Sequence, residues 1–347
     1  MLGAAAVSGA VSYAIAKKLV AMALDRGVQL PTSRAHISGE PAQLAFANLR
    51  EKAAEELESK PSETVEVTAR DGIKLVGHWR TCPNARRVLI AMHGWRSSWS
   101  RDFGLLAEFL EKNGCSMLYA EQRGQNNSGG EYMGFGLTER FDCVNWIDWV
   151  NEKTGGKLPI YLCGVSMGAS TVLMTSAFAL PDNVHGIIAD CGYTSPQAIW
   201  KHVAQTNLHV TYDEWLSGII DEMCKERIHF SSTDYSCTQA LADSHVPVLF
   251  IHGTDDTFVP VEMTYENYKA CASPKRLLVV PGAGHGICQI PGQQGFLDYR
   301  RGSRRSCPFD FSPVSGREKP EPNRHISDAG ANPNAHILHE RARAGNL

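Results

Sequence analysis

The residue best suited to covalent chemistry is Ser166, the centre of the pentapeptide G-V-S-M-G at residues 164–168. An apolar run at 158–163 precedes the pentapeptide and another at 169–174 follows it, which predicts a strand, one sharp turn and a helix. A serine hydroxyl is a poor nucleophile unless it is exposed and given a base. The turn exposes it, and glycines are needed there because the strand and helix backbones come too close for side chains.

The helix that follows this turn begins at Met167, so its free N–H groups and positive dipole end face the place where an oxyanion would form. The pentapeptide alone is a weak signal, because a chain of 347 residues with 31 glycines can contain it by chance. The residues farther along the chain therefore decide whether Ser166 is a nucleophile.

A histidine and a pair of aspartates supply a candidate base and a candidate acid. His285 lies in a glycine-rich loop at 281–286, directly after the last apolar run, and Asp255 and Asp256 lie in the turn at 251–260. We call the strand, turn and helix around Ser166 the elbow. In proteins with a catalytic serine on such an elbow, the chain order is serine, carboxylate, histidine. Both loops lie at the carboxyl ends of predicted strands, and open parallel sheets place their active sites at those ends. This order predicts a Ser-Asp-His arrangement for nucleophilic catalysis.

Short apolar strands alternate with helical segments between these groups and must position them. Strands are predicted at 64–68, 73–79, 87–92, 116–120, 158–163, 186–190, 246–252 and 276–280. Helices are predicted at 40–60, 102–112, 137–151 and 261–271. The alternation predicts an α/β fold with a mostly parallel sheet and helices on both faces. The turn Asp71-Gly72 predicts that the first two strands form an antiparallel hairpin.

We expect three parts along the chain. Residues 1–60 form an N-terminal helical extension, residues 61–288 form the catalytic domain, and residues 289–347 form an irregular tail. The tail is rich in Pro, Arg, Gly and Asn, a composition that predicts disorder because it buries too little apolar surface. Within the domain, residues 193–244 carry several aromatic side chains between two strands, which predicts a small helical lid that supplies substrate pockets. An ordinary connecting pair of helices is the alternative.

The first 24 residues are apolar but contain Lys17-Lys18. A secretory signal carries its positive charge before the apolar stretch, and a spanning helix needs about 20 uninterrupted apolar residues. The segment fits neither pattern, so a helix packed on the domain is favoured over a membrane anchor at residues 1–24.

Composition bears on possible partners, on the cellular compartment and on metal binding. A net charge of −3 does not favour nucleic acid as a partner. The ten cysteines are scattered without a C-x-x-C pair, which favours reduced thiols in a cytoplasmic protein. The thirteen histidines form no metal-ligand pattern, so we expect no metal and no organic cofactor.

The elbow, the acid turn and the histidine loop together give the sequence a resemblance to the α/β-hydrolase superfamily over roughly residues 60–288. It resembles in particular the bacterial serine esterase and serine aminopeptidase-like branch, and an α/β-hydrolase fold is what this resemblance implies. In that family the motif H-G-x-x-D-x-x-V-P carries the catalytic acid at its fifth position, here Asp256. Asp255, its neighbour, and Asp190, at the end of the strand after the elbow, are the alternatives.

The resemblance also assigns the segment His93-Gly94-Trp95. It implies that the backbone N–H groups of Trp95 and Met167 form an oxyanion hole, while His93 is structural. The indole of Trp95 could also wall the acyl pocket. With Trp200 and Trp215 of the expected lid, Trp95 is a candidate substrate-binding residue.

The loop at 121–128 resembles the family's D-x-R-G-x-G-x-S turn but departs from it at two positions. Glu121 replaces the aspartate and Asn126 replaces the second glycine. Asparagine tolerates positive φ better than most residues, so we expect the loop to remain structural and the fold to survive.

The predicted function is a serine hydrolase that cleaves carboxylic esters through Ser166, Asp256 and His285 and an acyl-enzyme intermediate. The partner is a small-molecule ester, and the aromatic residues of the expected lid favour a short-chain or an aromatic acyl group, as in feruloyl or cinnamoyl esters. A serine peptidase of the same fold, an acyltransferase or thioesterase, and a catalytically silent binding protein are the alternatives.

Overall fold

The computed structural model describes residues 2–28 and 41–286, and an eight-stranded sheet organises this part of the chain. Its strands are β1 (Glu63–Thr68), β2 (Lys74–Arg80), β3 (Arg87–Met92), β4 (Cys115–Ala120), β5 (Ile160–Val165), β6 (Val184–Asp190), β7 (Val248–Gly253) and β8 (Lys275–Val280). The strand order is β1-β2-β4-β3-β5-β6-β7-β8. The predicted tail at 289–347 lies outside the described residues.

The first hairpin is antiparallel, as predicted, and β2 also runs antiparallel to β4. Every later pair of neighbouring strands is parallel. Strands β4, β5 and β7 are buried at every position. That burial is expected of parallel strands covered on both faces. The predicted α/β class with a mostly parallel sheet is confirmed.

Nine α-helices accompany the sheet in the described ranges. They are α1 (Leu2–Leu24), α2 (Pro41–Ser59), α3 (Trp99–Lys112), α4 (Glu139–Thr154), α5 (Met167–Thr175), α6 (Pro196–His202), α7 (Glu214–Ile228), α8 (Cys237–Ala242) and α9 (Val261–Ala270). A short π-helix at Val203–Asn207 continues α6. None of these helices is both long enough and apolar enough to cross a membrane, as far as the described residues go.

Two helix ends differ from the predictions by three residues, each for a local reason. Helix α3 begins at Trp99, three residues before the predicted start, because the Ser98 hydroxyl accepts a hydrogen bond from the Arg101 N–H and caps the helix. Helix α4 continues to Thr154 and ends where Gly155 takes a left-handed conformation with φ 66°.

The two N-terminal helices pack on different parts of the domain. Helix α2 lies against α3, and α1 lies against α7. In the segment predicted as a lid, α6, the π-helix and α7 precede α8, and α8 packs against α5 and α9.

Helices α2 and α3 come close enough that their contact depends on a glycine. A Cβ atom added at Gly104 would lie 2.7 Å from the carbonyl oxygen of Ala53. The α2 backbone therefore rests directly on α3, and a side chain at this position would force the two helices apart.

We predict that Gly104→Ala lowers the free energy of unfolding by about 1–3 kcal/mol. The matched control is Gly218→Ala, at an exposed position inside α7 where an added Cβ meets nothing within 4 Å. That change should leave stability unaltered or raise it by about 0.5–1 kcal/mol, because alanine favours helix. Urea unfolding measures both variants. Equal stability of the two would contradict the close packing of α2 on α3.

Candidate active site

The turn between β5 and α5 holds Ser166 in a backbone conformation that few non-glycine residues adopt. Ser166 has φ 54° and ψ −116°. Two hydrogen bonds hold it there, since the Ser166 N–H donates to the Asp190 carbonyl at 2.8 Å and the Ser170 N–H donates to the Ser166 carbonyl at 3.0 Å. Strain of this kind persists only where the surrounding structure imposes it.

The glycines that flank Ser166 lie where no side chain fits. A Cβ atom at Gly164 would lie 2.2 Å from the carbonyl oxygen of Gly168, and one at Gly168 would lie 1.9 Å from the carbonyl oxygen of Met92. These contacts confirm that the strand and helix backbones meet too closely for side chains.

The structure brings Ser166, His285 and Asp256 together in one line of hydrogen bonds. Nε2 of His285 lies 2.9 Å from Oγ of Ser166, and Nδ1 of His285 lies 2.7 Å from Oδ2 of Asp256. A carboxylate only accepts, so Nδ1 carries the ring proton and the Ser166 hydroxyl donates to Nε2. This is the arrangement that a histidine needs to take a proton from a serine.

The two alternative carboxylates lie elsewhere. Oδ1 of Asp255 accepts a hydrogen bond from the Thr254 hydroxyl at 2.8 Å on an exposed turn. Asp190, at the end of β6, meets Ser166 through its backbone carbonyl. The geometry therefore favours Asp256 as the partner of His285.

Asp256 is held by hydrogen bonds on both carboxylate oxygens. Oδ1 accepts from the N–H groups of Phe258 and Val259, each at 2.9 Å, and Oδ2 faces His285 and, at 3.1 Å, Nε2 of His252. Burial raises the pKa of Asp256, but the charge of His285 and these hydrogen bonds outweigh it and hold the pKa well below its usual range. The carboxylate is therefore ionised at neutral pH.

His252 supports the acid, a role that the sequence analysis missed. Nε2 of His252 lies 2.8 Å from the Val259 carbonyl, and Nδ1 lies 2.6 Å from the Thr264 hydroxyl. Because the Val259 carbonyl and the Asp256 carboxylate only accept, Nε2 carries the proton and Nδ1 accepts from Thr264. The signal available in the sequence was the His-Gly pair that opens the acid motif.

The three backbone N–H groups at the start of the segment after β3 differ in their hydrogen bonds. The Gly94 N–H donates to Oδ2 of Asp102 at 2.6 Å, and the Arg96 N–H donates to Oε1 of Gln125 at 2.6 Å. Trp95 lies between these two engaged groups. Its own N–H meets no acceptor in the described ranges 2–28 and 41–286.

The Met167 N–H, the first N–H group of α5, likewise meets no acceptor among the residues the structure describes. The two segments touch, because a Cβ atom added at Gly94 would lie 3.4 Å from the Cβ of Ser166. Two N–H groups next to a serine hydroxyl can bind the oxygen of a tetrahedral intermediate.

Asp102 holds the segment that carries Trp95, and the sequence analysis did not single it out. Besides the Gly94 N–H, it accepts hydrogen bonds from the Ser97 hydroxyl at 2.7 Å and from the Arg50 guanidinium. Burial raises the pKa of Asp102, but the charge of Arg50 and these hydrogen bonds lower it overall. An ionised carboxylate thus connects α2 to the candidate oxyanion hole.

The loop at 121–128 is built from its own hydrogen bonds despite its departures from the family pattern. Asn126 takes a positive φ of 49°. The Glu121 carboxylate accepts from the Asn127 N–H at 2.6 Å and lies 2.8 Å from Nε2 of His78. Gln125 of this loop reaches the Arg96 N–H, so the loop helps to fix the segment after β3.

An apolar cavity lies beside the site. It has an empty volume of about 580 Å³, including its open mouth, and its walls come from α1, α6, the π-helix and α7. Trp95 and Phe258 line it, and the Phe258 ring lies 5.1 Å from the His285 ring. The cavity therefore begins next to the reacting groups.

Two of the three tryptophans predicted to bind substrate line this cavity. Trp95 and Trp200 are among the lining residues, whereas Trp215 is not and is 65% exposed. Helix α7 buries Leu216 and Ile220, and Trp215 lies about 100° from Leu216 around the helix axis. Trp215 therefore faces solvent outside this cavity, and its role in substrate binding stays a prediction.

One group of mixed donors within the described residues could hold a metal ion. The sulfur of Cys191, a carboxylate oxygen of Asp256 and a ring nitrogen of His285 all lie within 4.8 Å of one another. Asp256 and His285 already bond to each other. That no metal takes part stays a prediction.

Comparison with known proteins places this geometry in a family context. The chain is 26% identical to the protein YqkD of Bacillus subtilis over 219 residues, which cover 62% of this chain and 70% of YqkD. It is 25% identical to the protein YfhR of Escherichia coli O157:H7 over 231 residues, which cover 65% of this chain and 73% of YfhR.

Solved structures are similar in fold. The esterase Pf2001 of Pyrococcus furiosus is 25% identical with a TM-score of 0.52, covering 66% of this chain and 86% of that protein. The α/β hydrolase GrgF of a Penicillium species is 18% identical with a TM-score of 0.53, covering 70% of this chain and 97% of that protein. The α/β-hydrolase fold is thus confirmed.

Residues 101–296 match the prolyl oligopeptidase family, and this range contains Ser166, Asp256 and His285. The assignment to the serine aminopeptidase-like branch stays a prediction. The chain is a member of the α/β-hydrolase superfamily and, within it, belongs to the prolyl oligopeptidase family.

Proposed function

We propose that the protein is a serine hydrolase that cleaves carboxylic esters, with Ser166 as nucleophile, His285 as general base and Asp256 as the carboxylate that orients the imidazole. The observation that carries the proposal is the unbroken line of hydrogen bonds from Oδ2 of Asp256 through His285 to Oγ of Ser166, at 2.7 and 2.9 Å. The family and the fold support a hydrolase in general terms.

In the proposed reaction, Oγ of Ser166 attacks the carbonyl carbon of the ester while Nε2 of His285 takes the hydroxyl proton. The oxyanion accepts hydrogen bonds from the N–H groups of Trp95 and Met167. Nε2 then gives its proton to the departing alcohol and leaves an acyl-enzyme. Water attacks that intermediate with His285 again as base, and Ser166 is restored.

The apolar cavity supports an ester with an apolar acyl group. The described residues that line it carry no charge, and aromatic rings of Trp95, Trp200 and Phe258 contribute to its walls. A short-chain or an aromatic acyl group, including the feruloyl and cinnamoyl type, suits such a surface. The similar fold of a protein described as an esterase points in the same direction.

A serine peptidase is the second candidate, and the match to the prolyl oligopeptidase family is the observation that favours it. The same three residues would serve, so only the substrate distinguishes the two activities. An acyltransferase or thioesterase would favour a CoA ester or another thioester as substrate.

Cellular placement is a further part of the proposal. The eight described cysteines are all buried and none is in a disulfide. Free thiols of this kind support a reducing compartment, the cytoplasm, as the place of action.

We predict that Ser166→Ala lowers kcat for p-nitrophenyl esters by at least about 10⁴-fold, because the change removes the hydroxyl on which the acyl-enzyme forms. The melting temperature should stay close to that of the wild type. Ser59→Ala, at the exposed end of α2, is the control and should keep full activity. Rates on p-nitrophenyl acetate, methyl ferulate and an alanyl anilide also separate esterase from peptidase. Turnover that survives in Ser166→Ala would refute the mechanism.

The depressed pKa of Asp256 makes a prediction about acid stability. The pKa of this carboxyl is lower in the folded state than in the unfolded state, where it is about 4. Its charge therefore stabilises the fold fully above pH 4, and the contribution is lost as pH falls toward the folded value.

We expect the wild type to unfold at a higher temperature than Asp256→Asn at pH 6, and the difference to shrink steadily between pH 5 and pH 3. Melting curves of both proteins across this range measure it. A difference that stays constant or widens as pH falls would contradict the assignment. Asp255→Asn, on the exposed turn, is the matched control and should melt close to the wild type at pH 6.

A further inference from the structure

Helix α1 forms one wall of the cavity beside the site, although it lies far from Ser166 in sequence. Leu19, Val20, Met22 and Ala23 all line the cavity. The facing wall comes from α6, the π-helix and α7. An N-terminal extension thus completes a pocket that the remaining domain would leave open on one side.

The end of α1 is bonded directly to the segment that carries the candidate oxyanion N–H. The indole N–H of Trp95 donates to the Ala23 carbonyl at 2.9 Å. The Arg96 guanidinium donates to the carbonyls of Met22 at 3.0 Å and of Asp25 at 2.7 Å. The last carbonyls of a helix have no hydrogen-bond donor within the helix. The side chains of Trp95 and Arg96 donate to carbonyls at this end of α1 instead.

Other contacts hold the same helix end in place. Nε of Arg227, on α7, lies 2.9 Å from Oδ1 of Asp25. The Met133 N–H donates to the Leu24 carbonyl at 2.8 Å, and the Arg26 N–H donates to the Glu131 carbonyl at 2.9 Å. The wall is therefore fixed relative to both the lid helices and the site.

We propose that α1 is the acyl-selecting wall of the active site and that Ala23 sets the length of the acyl group. This inference rests on the proposed function, and it names the substrate class as esters of hydrocarbon acyl groups. In this proposal the acyl chain of the substrate lies between α1 and the helices α6 and α7, with the ester carbonyl at Ser166.

Position 23 is the decisive one on α1. Alanine has the smallest side chain among the four lining residues of the helix, and its backbone carbonyl accepts a hydrogen bond from the indole N–H of Trp95. A larger side chain here would occupy space close to the reacting groups. Among the residues that the structure describes, no charged side chain lines the cavity, so a charged or strongly polar acyl group finds no partner among them.

The test compares Ala23→Phe with Ala21→Phe on p-nitrophenyl acetate and octanoate. Ala21 is on the same helix but does not line the cavity, as far as the described residues show. In Ala23→Phe the ratio of kcat/KM for octanoate to kcat/KM for acetate should fall at least about 10-fold. The reason is that each methylene bound in an apolar pocket changes kcat/KM by about 10-fold or more. In Ala21→Phe the ratio should match the wild type.

An unchanged ratio in folded Ala23→Phe, or an equal fall in Ala21→Phe, overturns the proposal. If Ala23→Phe does not fold, as judged by its melting curve, Ala23→Val should lower the same ratio by a smaller factor, and no change there overturns it equally.

A binding measurement separates this inference from the proposed function. Calorimetric titration of octanoate into Ser166→Ala, with and without Ala23→Phe, requires no turnover. If octanoate binds to Ser166→Ala but not to the double variant, the result supports α1 as the acyl-selecting wall, even if the wild type hydrolyses no ester. Equal binding by both proteins overturns the wall, whatever the wild type hydrolyses.

Discussion

The close approach of two backbones at the turn between β5 and α5 is the constraint on which the rest of the site depends. Gly164 and Gly168 allow the strand and helix to meet, and the Asp190 carbonyl holds Ser166 at positive φ. This geometry lifts the serine hydroxyl above the sheet and leaves the Met167 N–H beside it. Any side chain at either glycine would separate strand from helix and move both groups away from His285.

Around that turn, charged and polar groups from distant segments fix the two loops that face Ser166. His252 and the N–H groups of Phe258 and Val259 hold Asp256 ionised, so His285 keeps one tautomer and one orientation. Asp102 plays the matching part for the loop that presents Trp95. A positioned site of this kind depends on such supporting hydrogen bonds as much as on the reacting groups.

Local patterns predicted the groups that the structure brings together, because the elbow, the acid turn and the histidine loop each follow a strand and occur in a defined order. The places of His252, Asp102 and α1 in the site were not predicted, since they arise from contacts between distant segments; the bond from Trp95 to Ala23 spans 72 residues. Composition marks the predicted lid as aromatic but does not say which side of α7 faces the cavity, so it could not predict that Trp215 is exposed.

The most direct test of the central claim is labelling of the full-length protein with diisopropyl fluorophosphate, followed by intact mass and peptide mapping. An activated serine should give one adduct per chain, located on Ser166. In His285→Gln the labelling rate should fall at least about 100-fold, because the general base is gone. A folded wild type that takes no adduct, or takes it on another residue, or labels as fast without His285, would contradict the account.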